Sequence, residues 1–226
     1  MTKRVSTVVT GAADSYDLAV LATFKDDWQI TDTNSDAFLG RAITRASEQA
    51  AQYCNRVFAA EAVTDTFYAQ YIQNAAPLAA QLGPLQLSRH PIVSIASVTE
   101  NGTVLIAGTD YYSNPITGEL FRLDVNGNDS KWSNWTIVVV YIGGYQVPAQ
   151  TVPSLPGGAP VLPIEVSDAV GRMVFSRYAE RARDPFVKTV VAFGIGTTEY
   201  TTSRIDGNMT DDVTDILDNY RSGVIA

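Results

Sequence analysis

The chain is short of the residues from which most catalytic and metal centres are built. Its 226 residues include one cysteine, Cys54, and one histidine, His90. A single cysteine excludes an intrachain disulfide and argues against a Cys-built zinc site. A single histidine removes His-pair metal sites and would force any Ser-His-Asp or Cys-His arrangement to use His90. That residue lies in Ser88-Arg89-His90-Pro91, where the following ring pushes the backbone to extended geometry, and it reads as a half-exposed histidine at a strand end. Charge is scarce as well. Only 18 % of residues are charged, and 16 Lys plus Arg stand against 24 Asp plus Glu, a formal net charge of −8. Free-standing nucleic-acid binding needs the opposite balance. Long apolar runs are missing: the longest, Ile137 to Ile142, is strand-sized and falls far short of a bilayer span. The basic start Met1-Thr2-Lys3-Arg4 leads into Val5 to Thr10, too short for a signal-peptide core and followed by no cleavage-like site. A protein made in a cytoplasm and remaining soluble is expected, with no membrane partner.

What is present is an ordinary globular composition, 46 % hydrophobic, long enough for one core of usual size or two small ones. Three zones follow one another. Asp14 and Ser15 offer an N-cap to a first helix carrying Leu18, Leu21, Ala22 and Trp28 at helical spacing. The polar turn Thr31 to Ser35 then caps a second helix over about Ser35 to Cys54, whose stripe Leu39, Ile43, Ala46, Ala50 and Tyr53 advances by four and three. The two helices suggest an antiparallel hairpin.

The period changes to two in the middle. Thr64 to Tyr68, Leu85 to Leu87, Pro91 to Val98, Thr103 to Leu105, Tyr111-Tyr112, Gly118 to Leu123 and Trp135 to Tyr141 read as strands. Asn101-Gly102 marks a two-residue hairpin turn and Asn126 to Ser130 a polar loop. Val147 to Pro163, with five prolines and two glycines, reads as an extended arm, and Pro163 suits the first turn of a third helix. Val166, Val170, Met173, Val174, Arg177 and Tyr178 give that helix a core-facing side. Lys188 to Asn208 is irregular or short-stranded, and Asp211-Asp212 open a last amphipathic helix with Val213, Ile216, Leu217 and Tyr220 on one side. The fold class is α+β: a helical bundle, made of an N-terminal helix pair plus a later helix, with an inserted, mostly antiparallel β unit. Residues 1–188 form the body, with the insertion at about 60–145 and the arm at 147–163, and residues 189–226 form an extended C-terminal segment.

No catalytic, cofactor or metal constellation stands out. Gly143-Gly144 and Gly194-Ile195-Gly196 lack the flanking residues of a phosphate loop. Asp26-Asp27 and Asp211-Asp212 are neighbours that point about 100° apart on a helix, as solvated surface carboxylates do. Trp132 and Trp135, with Tyr111, Tyr112, Tyr141 and Tyr145, are compatible with a filled β core or with an exposed sugar- or receptor-binding surface. Arg172, Arg177, Arg181 and Arg183 lie along or just after the third helix. They can complement its C-terminal dipole or pair with acidic groups of a neighbouring subunit.

The order of these pieces carries a resemblance. Lys25 to Trp28, then Thr31 to Asp36 and an Ala-rich helix, precede Pro91-Ile92-Val93-Ser94-Ile95-Ala96-Ser97-Val98. Val140-Tyr141-Ile142-Gly143-Gly144-Tyr145, Arg183-Asp184-Pro185 and Ile216-Leu217-Asp218-Asn219-Tyr220-Arg221 follow. From about Asp14 to Arg221 this resembles the head-tail connector proteins of long-tailed bacteriophages, also called adaptor or head-completion proteins. Their patterns include Pro-Val-x-Ser-Ile-x-Ser-Val, Val-x-Tyr-x-Ala-Gly-Tyr and a closing Leu-x-x-Tyr-Arg. Gly143 stands where many relatives have alanine, a mild change, and the β zone and arm are longer than in compact members.

The resemblance implies a non-enzymatic virion protein of the neck, made in the host cytoplasm. It would form a ring, commonly of twelve copies, beneath the portal. There it would extend the DNA channel without binding DNA specifically and dock the next neck, stopper or tail-completion protein. Ile216, Leu217, Tyr220 and Arg221 are the expected portal anchors, and Arg177, Arg181 and Arg183 the expected inter-subunit residues. Truncation after Met209 is expected to leave the body folded. Another neck or tail-completion protein, or a carbohydrate- or receptor-binding β module, are the alternatives.

Overall fold

Burial alternates strictly over 61–67 and Ile137–Gly143, and helical stripes of buried residues mark Asp36–Tyr53 and Ile164–Glu180. A computed structural model describes residues 4–68, 83–132, 136–150, 158–181, 189–192, 196–199 and 209–222. In order these form β1 (Arg4–Gly11), α1 (Leu21–Asp27), α2 (Asp36–Tyr53), β2 (Glu61–Tyr68), β3 (Leu85–Gln86), β4 (Ile92–Glu100), β5 (Thr103–Val104) and β6 (Tyr111–Asn114). They continue as β7 (Glu119–Leu123), β8 (Asp129–Ser130), β9 (Ile137–Gly143), α3 (Ile164–Glu180), β10 (Thr189–Ala192), β11 (Gly196–Glu199) and α4 (Asp211–Asp218). The fold class is α+β, with every strand pair antiparallel. Contacts divide the chain into two units. One holds Met1–Tyr16, Asn55–Leu162 and Ser222–Ala226, the other Asp17–Cys54 and Pro163–Arg221. α4 falls in the second unit, with α1, α2 and α3.

The β unit has a five-stranded sheet in the order β1-β2-β9-β4-β5 and a smaller sheet β3-β7-β6, with β8 beside β7. Its first strand corrects the sequence reading, in which the chain began with a helix. Val5, Val8, Val9 and the threonines of this segment favour extended backbone, and they pair with β2 from Arg4↔Tyr68 to Gly11↔Ala62. Asn101 and Gly102, at φ 50° and 80°, make the two-residue turn joining β4 to β5. Val63, Phe67, Leu85, Leu87, Val98, Leu120, Trp132, Ile137, Val139 and Tyr141 fill the core. The expected arm is clasped at its ends: Gln146 N–H donates to Pro160 O (2.8 Å) and Leu162 N–H to Gln146 O (3.0 Å), with Val147 and Leu162 buried. Residues 151–157 of that arm lie outside the described residues.

In the helical unit, α2 buries Leu39, Ala42, Ile43, Ala46, Ser47 and Ala50, close to the expected stripe, while Tyr53 is half-buried. The first helix is shorter than expected. Asp14 and Ser15 do not cap it; it starts at Leu21 after an extended Val20, with no side-chain cap. The chain before it is held differently. Leu18 is buried, its N–H donates to Ser47 Oγ of α2 (2.9 Å), and its carbonyl accepts from Ser167 Oγ of α3 (2.8 Å). Two hydroxyls thus satisfy a buried backbone that has no strand partner. Trp28 stacks on Phe175 of α3 at 3.9 Å between ring centroids, and Lys25 bridges to Asp36 at 2.6 Å. α3 buries Val166, Ala169, Val170, Met173 and Val174. α4 adds Val213 and Leu217, and Met209 just before it is buried too. β10 and β11 form a two-stranded hairpin in the short-stranded region.

Candidate functional site

The β unit carries an interior polar network that the sequence reading missed. β2 turns Glu61 and Asp65 inward along with Val63 and Phe67. Asp65 is fully buried. Its Oδ1 accepts from Thr7 Oγ1 (2.6 Å) and Ser88 Oγ (2.8 Å), and its Oδ2 from Ser88 N–H (2.8 Å) and the Tyr141 hydroxyl (2.8 Å). Four donors fill the lone-pair directions of a carboxylate, so nothing is left to take a proton from a substrate. The Tyr141 hydroxyl also accepts from Arg89 N–H at 2.8 Å, and burial followed by the Asp65 charge pushes its pKa well up. Glu61 holds Arg89 through Nε at 2.7 Å and accepts from the Tyr16 hydroxyl, whose pKa is raised to about 12 by burial and then by Glu61. This is a clamp fixing residues 88–91 to β2 and β9. The only sequence signal for it was two acids at alternate positions of an otherwise inward-facing strand.

Glycines let the backbones meet beside it. A Cβ on Gly143 would stand 2.6 Å from Arg89 O, and one on Gly144 (φ 116°) 2.5 Å from Ala59 O. The substitution read as mild at Gly143 is therefore one this packing does not accommodate as alanine. Gly144 N–H donates to Pro91 O (2.8 Å) and Tyr145 N–H to Phe58 O (2.7 Å), which makes Gly143-Gly144-Tyr145 a junction of three chain segments. His90 sits half-buried just before β4, and burial and then the Arg56 charge lower its pKa to about 4.

Trp132 is fully buried and donates Nε1–H to Leu120 O at 3.3 Å, so it belongs to the core and not to a sugar-binding surface. Trp135 lies outside the described residues. Tyr111 is buried, and Tyr112 is exposed and stacked on Phe121 at 4.6 Å. Among the described residues no group of three or more His, Cys, Asp or Glu could hold a metal, and no helix is long and apolar enough to cross a membrane.

In the helical unit the arginines of α3 mostly face neighbouring helices. Arg172 pairs with Asp212 of α4 at 2.5 Å, Arg177 donates to Gln49 Oε1 of α2 at 2.7 Å, and Arg181 donates to Ser35 Oγ at 2.6 Å. The Arg181 guanidinium also lies 4.2 Å from the Tyr178 ring centroid. Arg183 lies outside the described residues. Of the expected portal anchors, Leu217 is fully buried and Ile216 half-buried. Tyr220 donates to Glu165 Oε2 (3.2 Å), and exposed Arg221 lies 3.5 Å from Asp218 and 5.2 Å from the Tyr53 ring centroid. Since Val213 and Leu217 are interior, truncation after Met209 would strip part of this unit's core.

A second arginine group was not singled out in the sequence. Arg41 and Arg45, exposed and one turn apart on α2, line a pocket of about 190 Å³ with Phe38, Ala42 and Arg177. Burial and then the Arg45 charge lower the pKa of Arg177. Like charges at i, i+4 disfavour a helix, and that local conflict was the readable signal.

No protein-family model matches the sequence, and no curated protein matches it. Solved structures do. The chain is similar to one in the neck of an empty gene transfer agent particle computed with C6 symmetry, at 11 % identity, 96 % coverage of each chain and TM-score 0.51. Chains of the native gene transfer agent virion (12 % identity, 96 % of this chain and 95 % of that one, TM-score 0.49) and of the native particle's neck computed with C12 symmetry (13 %, 96 % of each, TM-score 0.47) also align. At 11 % identity the first of these shows a shared fold across nearly the whole chain.

Proposed function

We propose that this chain is a structural neck protein of a phage-like particle. It forms a ring on the portal, extends the DNA channel and presents a docking surface to the next neck or tail protein. The observation that carries the reading is the likeness to a gene transfer agent neck chain over 96 % of both chains. The order of sequence motifs from Lys25 to Arg221 points the same way. A saturated interior network with no open carboxylate is compatible with a scaffold.

The portal contact is assigned to the C-terminal region, with Ile216, Tyr220 and Arg221 as its surface groups and Leu217 holding α4 in place from within. A net charge of −8 per copy gives the ring an acidic character, so that a phosphate backbone passes along it without being held. Free protein is mostly monomeric and closes its ring on the portal template. Electron microscopy of the protein mixed with its purified portal tests this. The expected result is ring density beneath the portal, reduced by Ile216→Asp or Arg221→Glu. Absence of any retention of the wild-type chain on portal rings would overturn the assignment.

A further inference from the structure

The charged groups of the helical unit divide into those with partners inside it and those without. Arg172 has Asp212, Arg177 has Gln49, Arg181 has Ser35, and Asp218 has Tyr53 and Arg221. Among the described residues, Arg41 and Arg45 make no ion pair, and neither do the acids Asp26, Asp27, Glu48, Asp168, Glu180, Asp211 and Asp215. Of these acids, Asp211 and Asp215 are the two that stand at i, i+4 on one helix, as the arginines do. Arg41, Arg45, Asp211 and Asp215 are all exposed. The two sets share a geometry. Each is an i, i+4 pair on one helix, about 6 Å apart along the axis. They sit on different helices, α2 and α4, and α3 reaches them with different side chains: Arg177 joins the arginine pocket, while Arg172 pairs next to Asp211. The pocket gathers three guanidinium groups with no carboxylate among its described lining residues, in a chain whose net charge is −8. Such a site calls for an anion from outside.

We propose that Arg41, Arg45 and Arg177 receive Asp211 and Asp215 of a second copy of this chain, head to tail. The inference rests on the ring reading above and supplies its subunit contact. Patch and complement are different surfaces of one chain, so the contact is heterologous. Repeated, it generates a ring if the rotation closes. It also shifts the inter-subunit role from Arg181, engaged with Ser35, to the α2 arginines. The carboxylates neutralise the like-charge pair on α2 and add an anionic partner to Arg177, which already donates to Gln49 and whose pKa is lowered by burial and then by the Arg45 charge.

Charge reversal tests the arrangement. Sedimentation velocity at about 1 mM protein reads weak association of the free chain. The wild type is expected to associate at low salt and to lose that association as screening increases. Arg41→Glu with Arg45→Glu gives a chain acidic at both patches, and Asp211→Lys with Asp215→Lys one basic at both. Each alone is expected to associate at least about tenfold more weakly, and an equimolar mixture to recover. Thermal melts check folding, and the milder Arg41→Gln/Arg45→Gln and Asp211→Asn/Asp215→Asn pairs serve if a reversal unfolds. Three outcomes overturn the inference: unchanged association of both variants, a mixture that does not recover, or a wild type monomeric at every salt. Loss of short-duplex DNA binding in the arginine variant, with self-association intact, would also overturn it and give the pocket to phosphate. Portal retention, scored separately, decides the neck reading, so the two can fail independently.

Discussion

The two units handle charge in opposite ways. The β unit draws Glu61 and Asp65 into its interior and surrounds them with donors from β1, β9 and residues 88–89, while the helical unit keeps a core of Val, Leu, Ile, Met and Ala and leaves its ionic groups at the surface. In the first, charge fixes the fold: burying a carboxylate is tolerable only when every oxygen is paired. In the second, the surface pairs contribute little to stability, and Arg41, Arg45, Asp211 and Asp215 make no ion pair among the described residues. A charge count for the whole chain cannot distinguish the two uses.

Substitutions can break this contrast. Asp65→Ala removes the acceptor of Thr7, Ser88 and Tyr141 together and is expected to lower stability by about 4 kcal/mol in urea unfolding. A loss under about 1 kcal/mol would mean that the interior network is dispensable. Gly144→Ala, placing a methyl 2.5 Å from Ala59 O at positive φ, should lose about 3 kcal/mol.

His90 adds a pH term. Its folded pKa, about 4, lies below the ordinary value of 6.5, so the unfolded chain binds more protons between them. The stability is full above pH 6.5 and is lost as pH falls through 6.5 toward 4. Partial exposure reduces the effect to about 1–2 kcal/mol. Comparing wild type with His90→Gln at pH 7 and 4.5 isolates it from the carboxylates, and equal losses in both would refute it. In the helical unit, Arg181→Ala should lose about 1 kcal/mol with its Ser35 bond and Tyr178 contact. Arg41→Ala should change stability by less than about 0.5 kcal/mol. A large loss there would show that the arginine pocket is structural.

The helices, the hairpin at Asn101-Gly102 and most of the strands were legible because each writes its own period or turn into neighbouring residues. β1 was not, because its five β-branched residues, Val5, Thr7, Val8, Val9 and Thr10, show no partner until β2 is placed beside them. The Glu61–Arg89 and Asp65–Ser88–Tyr141 contacts join residues 23 to 76 positions apart, and nothing local announces them. Gly143 and Gly144 were visible as residues, but their reason, the carbonyls of Arg89 and Ala59, came only with the packing. The α3 arginines were visible as a cluster, and only the neighbouring helices showed which of them were already engaged.

The helical unit is built from Asp17–Cys54 and Pro163–Arg221, with the β unit's main segment between them. This has a consequence for synthesis. When α2 leaves the ribosome its apolar stripe has no α3 to cover it, and none arrives until more than a hundred further residues have been made, on the order of ten seconds later. The β unit's strands, β1 included, are all available before α3 exists. α3 and α4 complete the helical unit, so the proposed self-association surface on it forms only after the strands of the β unit have been made.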